Sequence, residues 1–186
     1  ANALLKTLDD DVLDYAIEQG PDALFALSRW SEKDLREFGP ELALRAKKDA
    51  QVLEDISKLI SLGPIDPKHL TNDQQDLIKT IAENSMQYND EGQIVLGKWV
   101  DYGNGFTSYA RETGSVHYNP HPDMWELFGE FGNEVREDAA WQVNKQVIQT
   151  GIDKGLPFEY TLEGIPADDV IKEQMAVQLI FSGETD

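Results

Sequence analysis

The sequence predicts an α+β protein in which a helical N-terminal leader precedes a small, mainly antiparallel sheet with interspersed helices. Three observations carry this. The first half repeats apolar stripes at helical spacing, punctuated by Gly-Pro pairs. After Met86 the texture changes to short β-branched and aromatic segments separated by glycine turns. Hydrophobic residues make up 40% of the 186, enough to bury a core. The change near Met86 divides the chain into a leader, residues 1–90, and an α+β domain, residues 91–186.

Thr7 and the acids Asp9 to Asp11 suit a helix start, with Val12, Leu13, Ala16 and Ile17 as its apolar stripe. Gly20-Pro21 stops that helix and opens the next, which carries Leu24, Leu27 and Trp30. Ser31 with Asp34 resembles a capping box, and Gly39-Pro40 is expected to end the helix it starts. Leu42, Ala46, Asp49, Leu53, Ile56 and Ile60 then form one face broken only by Asp49. Thr71-Asn72-Asp73-Gln74 is a capping box for a helix with Leu77, Ile78, Ile81 and Ala82. These stripes suit either a coiled-coil interaction or a bundle packed within the chain.

In the second half, Gln93 to Val100 has strand composition, with Gly97 as a possible bulge. Tyr102-Gly103-Asn104-Gly105 is a loop into a short helix from Phe106 to Glu112. Ser115 to Tyr118 forms a second strand, and Asp123 with Glu126 caps a brief helix. A long helix follows Asn133, Phe158 to Leu162 alternates like a strand, and Asp168-Asp169 starts a last helix whose end, Met175 to Phe181, can also be read as an edge strand.

Charge narrows the function classes. Thirty-five acidic against 16 basic residues give −19 at pH 7, so nucleic acid is not an expected partner. The acid keeps a protein soluble or suits a saline habitat. No apolar run approaches the roughly 20 residues that span a bilayer, so no membrane insertion is expected. The absence of cysteine removes disulfides, thiolate zinc sites and thiol nucleophiles. The start without Met suggests a piece of something longer.

No phosphate loop, dinucleotide fingerprint, nucleophile elbow or zinc-protease helix occurs. The unusual stretch is His117-Tyr118-Asn119-Pro120-His121-Pro122-Asp123, which holds two of the three histidines. Imidazoles beside a carboxylate serve as general acid and base or bind a divalent metal; equally, the stretch reads as a rigid connection with surface histidines. His117, Tyr118, His121 and Asp123 are the expected catalytic groups, with Asn119 beside substrate and no metal. The glycine-rich loop adds Lys98, Trp99, Tyr102 and Asn104 as substrate-binding candidates, with Arg111 and Asn144 able to face the same cleft. Its glycines let a ligand approach backbone, and its aromatics can stack on a base or sugar, or else form a plain strand-to-helix turn.

At Val95-Leu96-Gly97-Lys98-Trp99, then Tyr109-Ala110, Gly114, Tyr118, Trp125, Asn144 and Gly155, the chain resembles C-terminal domains of bacterial polymorphic toxins of the Rhs-repeat and contact-dependent-inhibition type. The resemblance covers about residues 93–160. It implies an effector domain of a larger secreted or cell-surface protein, delivered into the cytoplasm of a target cell in interbacterial competition and neutralised by a cognate immunity protein. Such tips include nucleases, deaminases and NAD-consuming enzymes. Zinc deaminase chemistry lacks its cysteine ligands here, and the acidity disfavours a nuclease. Action on a small molecule or protein, with NAD as a possible substrate, is the expected function. The alternatives are a noncatalytic helical adaptor or cargo module, an acidic immunity protein and a nuclease-type toxin.

Overall fold

The computed structural model describes residues 6–87, 92–129 and 133–166. Among these are seven helices and four short strands that form a small mixed sheet, an α+β arrangement. The last helix or edge strand expected after Asp168 lies outside the described residues. The chain divides into two compact units, one joining residues 1–87 to 118–155, the other joining 88–117 to 156–186.

The first unit is helical. Helices α1 (Asp10–Glu18) and α2 (Pro21–Leu27) are separated by Gly20, whose φ of 103° is open to glycine at little cost. Helix α3 runs Glu32–Ser61. Its start is fixed by Ser31, whose hydroxyl accepts from the Asp34 amide at 3.0 Å. Gly39-Pro40 does not end it. The chain kinks at Phe38 (φ −126°, ψ 16°), two residues before the proline, and the helix continues. Gly39 lets α3 approach the segment that precedes α1: a Cβ there would lie 2.6 Å from Leu8 Cδ2.

Helix α4 (Asn72–Ser85) opens with a reciprocal capping box between Thr71 and Gln74, and the short strand β1 (Met86–Gln87) follows it. The same unit holds α6 (Pro122–Phe128) and α7 (Glu134–Asp153), the latter capped by Asn133. Both α4 and α6 pack in this unit's bundle, with α3 against α4 and α6, and α4 against α7. Leu27, Trp30, Leu35, Leu42, Ile56, Leu59, Ile81 and Met124 are all essentially without solvent exposure and supply the main apolar burial.

The second unit carries the registered sheet. Strand β2 (Ile94–Gly97) lies between β3 (Val116–Tyr118), whose last residue belongs to the first unit, and β4 (Phe158–Thr161). Both pairings are parallel: Ile94 opposes Val116 and Phe158, and Gly97 opposes Thr161. The expectation of a mainly antiparallel sheet is corrected here, because the connections are crossovers. Helix α5 (Phe106–Thr113) links β2 to β3, and α6 and α7 fall between β3 and β4, where antiparallel neighbours need only a tight turn. Gly97 is not a bulge, since it keeps register with Thr161. Its lack of a side chain is a packing requirement: a Cβ would sit 2.5 Å from Phe106 Cβ. Val95, Phe106 and Ala110 form this unit's small core, with Tyr109 against it.

Candidate functional site

In the second unit, residues 98–105 form the loop at the carboxyl end of β2. Lys98, Trp99, Asp101 and Asn104 are exposed, whereas Tyr102 is buried. Asn104 is held in a turn, its amide bonding the Asp101 carbonyl at 3.2 Å and its side-chain nitrogen the Asp101 carboxylate at 2.5 Å. The Trp99 ring meets Phe106 edge-on at 6.1 Å, which props it over the first turn of α5. Residues 162–164 make the matching loop at the carboxyl end of β4. The two loops meet through glycine: Gly105 and Gly164 both have positive φ, and a Cβ on Gly164 would lie 2.8 Å from Gly105 Cα. These two glycines thus serve loop-on-loop packing.

On the flank of α5, the Tyr109 hydroxyl donates to Glu159 Oε1 on β4 at 2.7 Å, and the Gln93 amide donates to the other carboxylate oxygen. The hydrogen bond to Glu159 raises the Tyr109 phenol above its ordinary value, because ionisation would remove the donated proton and set two anions together. Arg111 is exposed on the same helix. His117 is buried on β3, its ring edge-on to Phe106 at 6.3 Å.

The remainder of the histidine-rich stretch belongs to the first unit and is used there for structure. Asn119 is 1% exposed; its side-chain nitrogen donates to Gln87 Oε1 at 2.6 Å, its amide to the Ser85 carbonyl, and its own carbonyl accepts from Arg45. His121 is fully buried and caps α6: Nδ1 accepts from the Asp123 amide at 3.1 Å, while Nε2 lies 2.8 Å from the Ala26 carbonyl. Its ring packs edge-on to Trp30 at 5.3 Å. Burial pushes its pKa below the ordinary histidine value, against the opposing pull of Asp49 and the Ala26 carbonyl. The Asp123 carboxylate takes the Arg29 guanidinium at 2.7 Å. The Tyr118 hydroxyl points to Met124 Sδ at 3.8 Å, and burial drives its pKa strongly upward.

Beneath this stretch sits a polar cluster, where the sequence alone shows only a break in an apolar face. Arg45 and Asp49, one helical turn apart, are 7% and 1% exposed and joined by a forked ion pair at 2.9–3.1 Å. The Arg45 guanidinium also lies 5.3 Å from the Trp30 ring centre. The available signal was the Arg-x-x-x-Asp spacing itself.

The expected catalytic set is therefore distributed, with His117 in the second unit and Tyr118, His121 and Asp123 in the first. Of the substrate-binding candidates, Lys98, Trp99, Tyr102, Asn104 and Arg111 share the second unit, whereas Asn119 is buried and Asn144 exposed on α7 in the first. Among the described residues, no group of three or more His, Asp or Glu side chains is placed to hold a metal, and no helix is long and apolar enough to cross a membrane. Compared with known protein families, characterised proteins and solved structures, the chain matches none.

Proposed function

We propose that the chain is an effector domain of a larger secreted or cell-surface bacterial protein, acting on a small-molecule or protein target through the loop at residues 98–105. One observation carries the placement: parallel β2 and β4 direct their carboxyl ends to adjoining loops, and the β2 loop presents Lys98, Trp99 and Asn104 to solvent. Open parallel sheets bind ligands outside the carboxyl ends of their strands. Lys98 supplies charge for a phosphate or carboxylate, Trp99 a face for a base or sugar, and Asn104 a carboxamide oriented by Asp101. That set suits a nucleotide-type ligand such as NAD. The toxin resemblance supplies the cellular context, with an immunity protein as the expected partner.

The test is expression inside a bacterium, scored by growth, with Lys98→Ala, Trp99→Ala and Asn104→Ala beside the parent chain. Growth arrest by the parent, relieved by at least one loop variant of unchanged thermal stability, is the expected result. Intact-mass measurement of cell extract proteins with and without NAD then reports group transfer. Full growth with the parent chain removes the effector reading.

A second reading, a noncatalytic adaptor, draws on the helical unit. It leaves Phe25, Leu44 and Trp141 more than 60% exposed, as a docking module does. Full growth with the parent chain would favour it.

A further inference from the structure

A groove of about 490 Å³ or less is a common surface feature, but the one between α4 and α7 has an unusual lining for so acidic a chain. Its volume is about 400 Å³, and Lys79 of α4 and Lys145 of α7 supply a cation from each wall. Neither lysine has an ion pair or hydrogen bond among the described residues, although acids outnumber bases 35 to 16. The glutamines of α7 also face this groove. Gln146 donates its amide to Thr150 and Gln149 to Asp153, both within the helix. Gln142 is 6% exposed, and its side-chain nitrogen has no hydrogen-bond acceptor. A buried amide donor without an acceptor is costly, on the order of 1–3 kcal/mol, so native proteins seldom keep one without a use.

We propose that the groove between α4 and α7 is a binding site for a small hydroxylated oxyanion. Lys79 and Lys145 neutralise its phosphate or carboxylate, and a turn of the Gln142 carboxamide brings its unused donor to an anionic oxygen. Asp76 lines the same groove and selects within that class. Its carboxylate repels a chain of many anionic groups but accepts a hydrogen bond from a hydroxyl. Ile78 and Leu70 give the body of the ligand an apolar contact. Long-range repulsion from the net charge of −19 does not forbid this, because salt screens it beyond about 8 Å. The site lies wholly in the first unit and does not rest on the effector reading.

The experiment titrates the full chain at about 0.15 M salt with glycerol 3-phosphate in one arm and glycerate in the other. Calorimetry gives affinity, and the side-chain amide signals of Gln142 report its environment by NMR. Saturable millimolar binding in either arm, with the Gln142 amide shifted, is expected, and the stronger arm identifies phosphate or carboxylate as the preferred anion. The Lys79→Gln, Lys145→Gln double variant, confined to exposed positions, should weaken binding about tenfold or more. Lys47→Gln, a surface lysine elsewhere on the unit, should leave it unchanged. Absence of saturation in both arms up to about 20 mM overturns the proposal, as does a double variant that binds as well as the parent chain. Growth inhibition, measured separately on the same double variant, distinguishes loss of this site from failure of the effector reading.

Discussion

Replacing His121 with alanine should destabilise the protein far more than a loop histidine normally does. A backbone carbonyl can only accept and a backbone amide can only donate, so the two contacts of the ring fix its chemistry. Nε2 carries the hydrogen toward Ala26, and Nδ1 keeps its lone pair for the Asp123 amide. The buried form is the neutral imidazole. Alanine removes both bonds, at about 1 kcal/mol each, one of them the cap of α6. It also leaves a void beside Trp30 and strands the Ala26 carbonyl, adding about 1–2 kcal/mol. The sum is about 3–4 kcal/mol, which for a chain of this size lowers Tm by about 6–16 °C.

Equilibrium urea and thermal unfolding measure that change. The pH dependence has a defined sign. Burial places the folded pKa below 6.5, so the contribution of His121 is fully present above pH 6.5 and is lost as pH falls through the folded value. NMR of the imidazole nitrogens should show the Nε2–H tautomer predominating at pH 6.5. A stability loss within about 0.5 kcal/mol, as for ordinary surface substitutions, or a ring that titrates at or above 6.5 would refute the reasoning.

Three further outcomes follow from contacts elsewhere in the protein. Asp49→Ala should cost about 3–5 kcal/mol by leaving the Arg45 charge buried without its carboxylate, and Arg45→Met with Asp49→Leu should recover much of that; chemical denaturation of the single and double variants decides it. Gly97→Ala should cost about 1–3 kcal/mol because its methyl group would overlap Phe106 Cβ, an atom that no side-chain rotation moves aside, and equilibrium urea unfolding measures the loss. Thr71→Ala should cost about 1 kcal/mol through loss of the capping box, while helical content by circular dichroism stays nearly unchanged.

The helices of the leader were legible because their signals are local. A capping box at Thr71 to Gln74 and a stripe through Leu42, Ala46 and Ile56 sit within single elements, and the structure places all three of those apolar residues in the core. Pro40 misled because a proline that opens a new turn and one that ends a helix look alike in sequence; the kink at Phe38 absorbs it. Strand composition says nothing of direction, but the helix from Phe106 between the strands at Gln93 and Ser115 is legible in the sequence and is the signal for a parallel crossover. That β4 joins β2 in parallel is not legible, because α6 and α7 intervene before it. Asp49 shows a different limit. The spacing to Arg45 was visible, but whether the pair faces solvent or core depends on what packs above it, and here that is Asn119, 74 residues away in the chain.

The histidine-rich stretch and the 98–105 loop both concentrate uncommon side chains, and their bonding separates them. Asn119 receives Arg45, His121 reaches Ala26 and Asp123 binds Arg29, contacts that span 74, 95 and 94 residues. Pro120 and Pro122 stiffen the segment that makes these ties. A general acid or base needs the same rigid placement, but it also needs a titratable atom left for substrate. His121 has given both nitrogens to backbone groups, and the Asp123 carboxylate already holds a guanidinium. The stretch therefore acts as a clasp between α2, α3 and α6, and its clustering reflects the number of distant elements it must fasten. In the 98–105 loop the bond between Asn104 and Asp101 is local, and the polar groups around it remain open to solvent. Lys98, Trp99 and Asn104 stay at the surface, where a target can reach them, whereas Asn119 and His121 do not, and the proposed site is put on the loop for that reason.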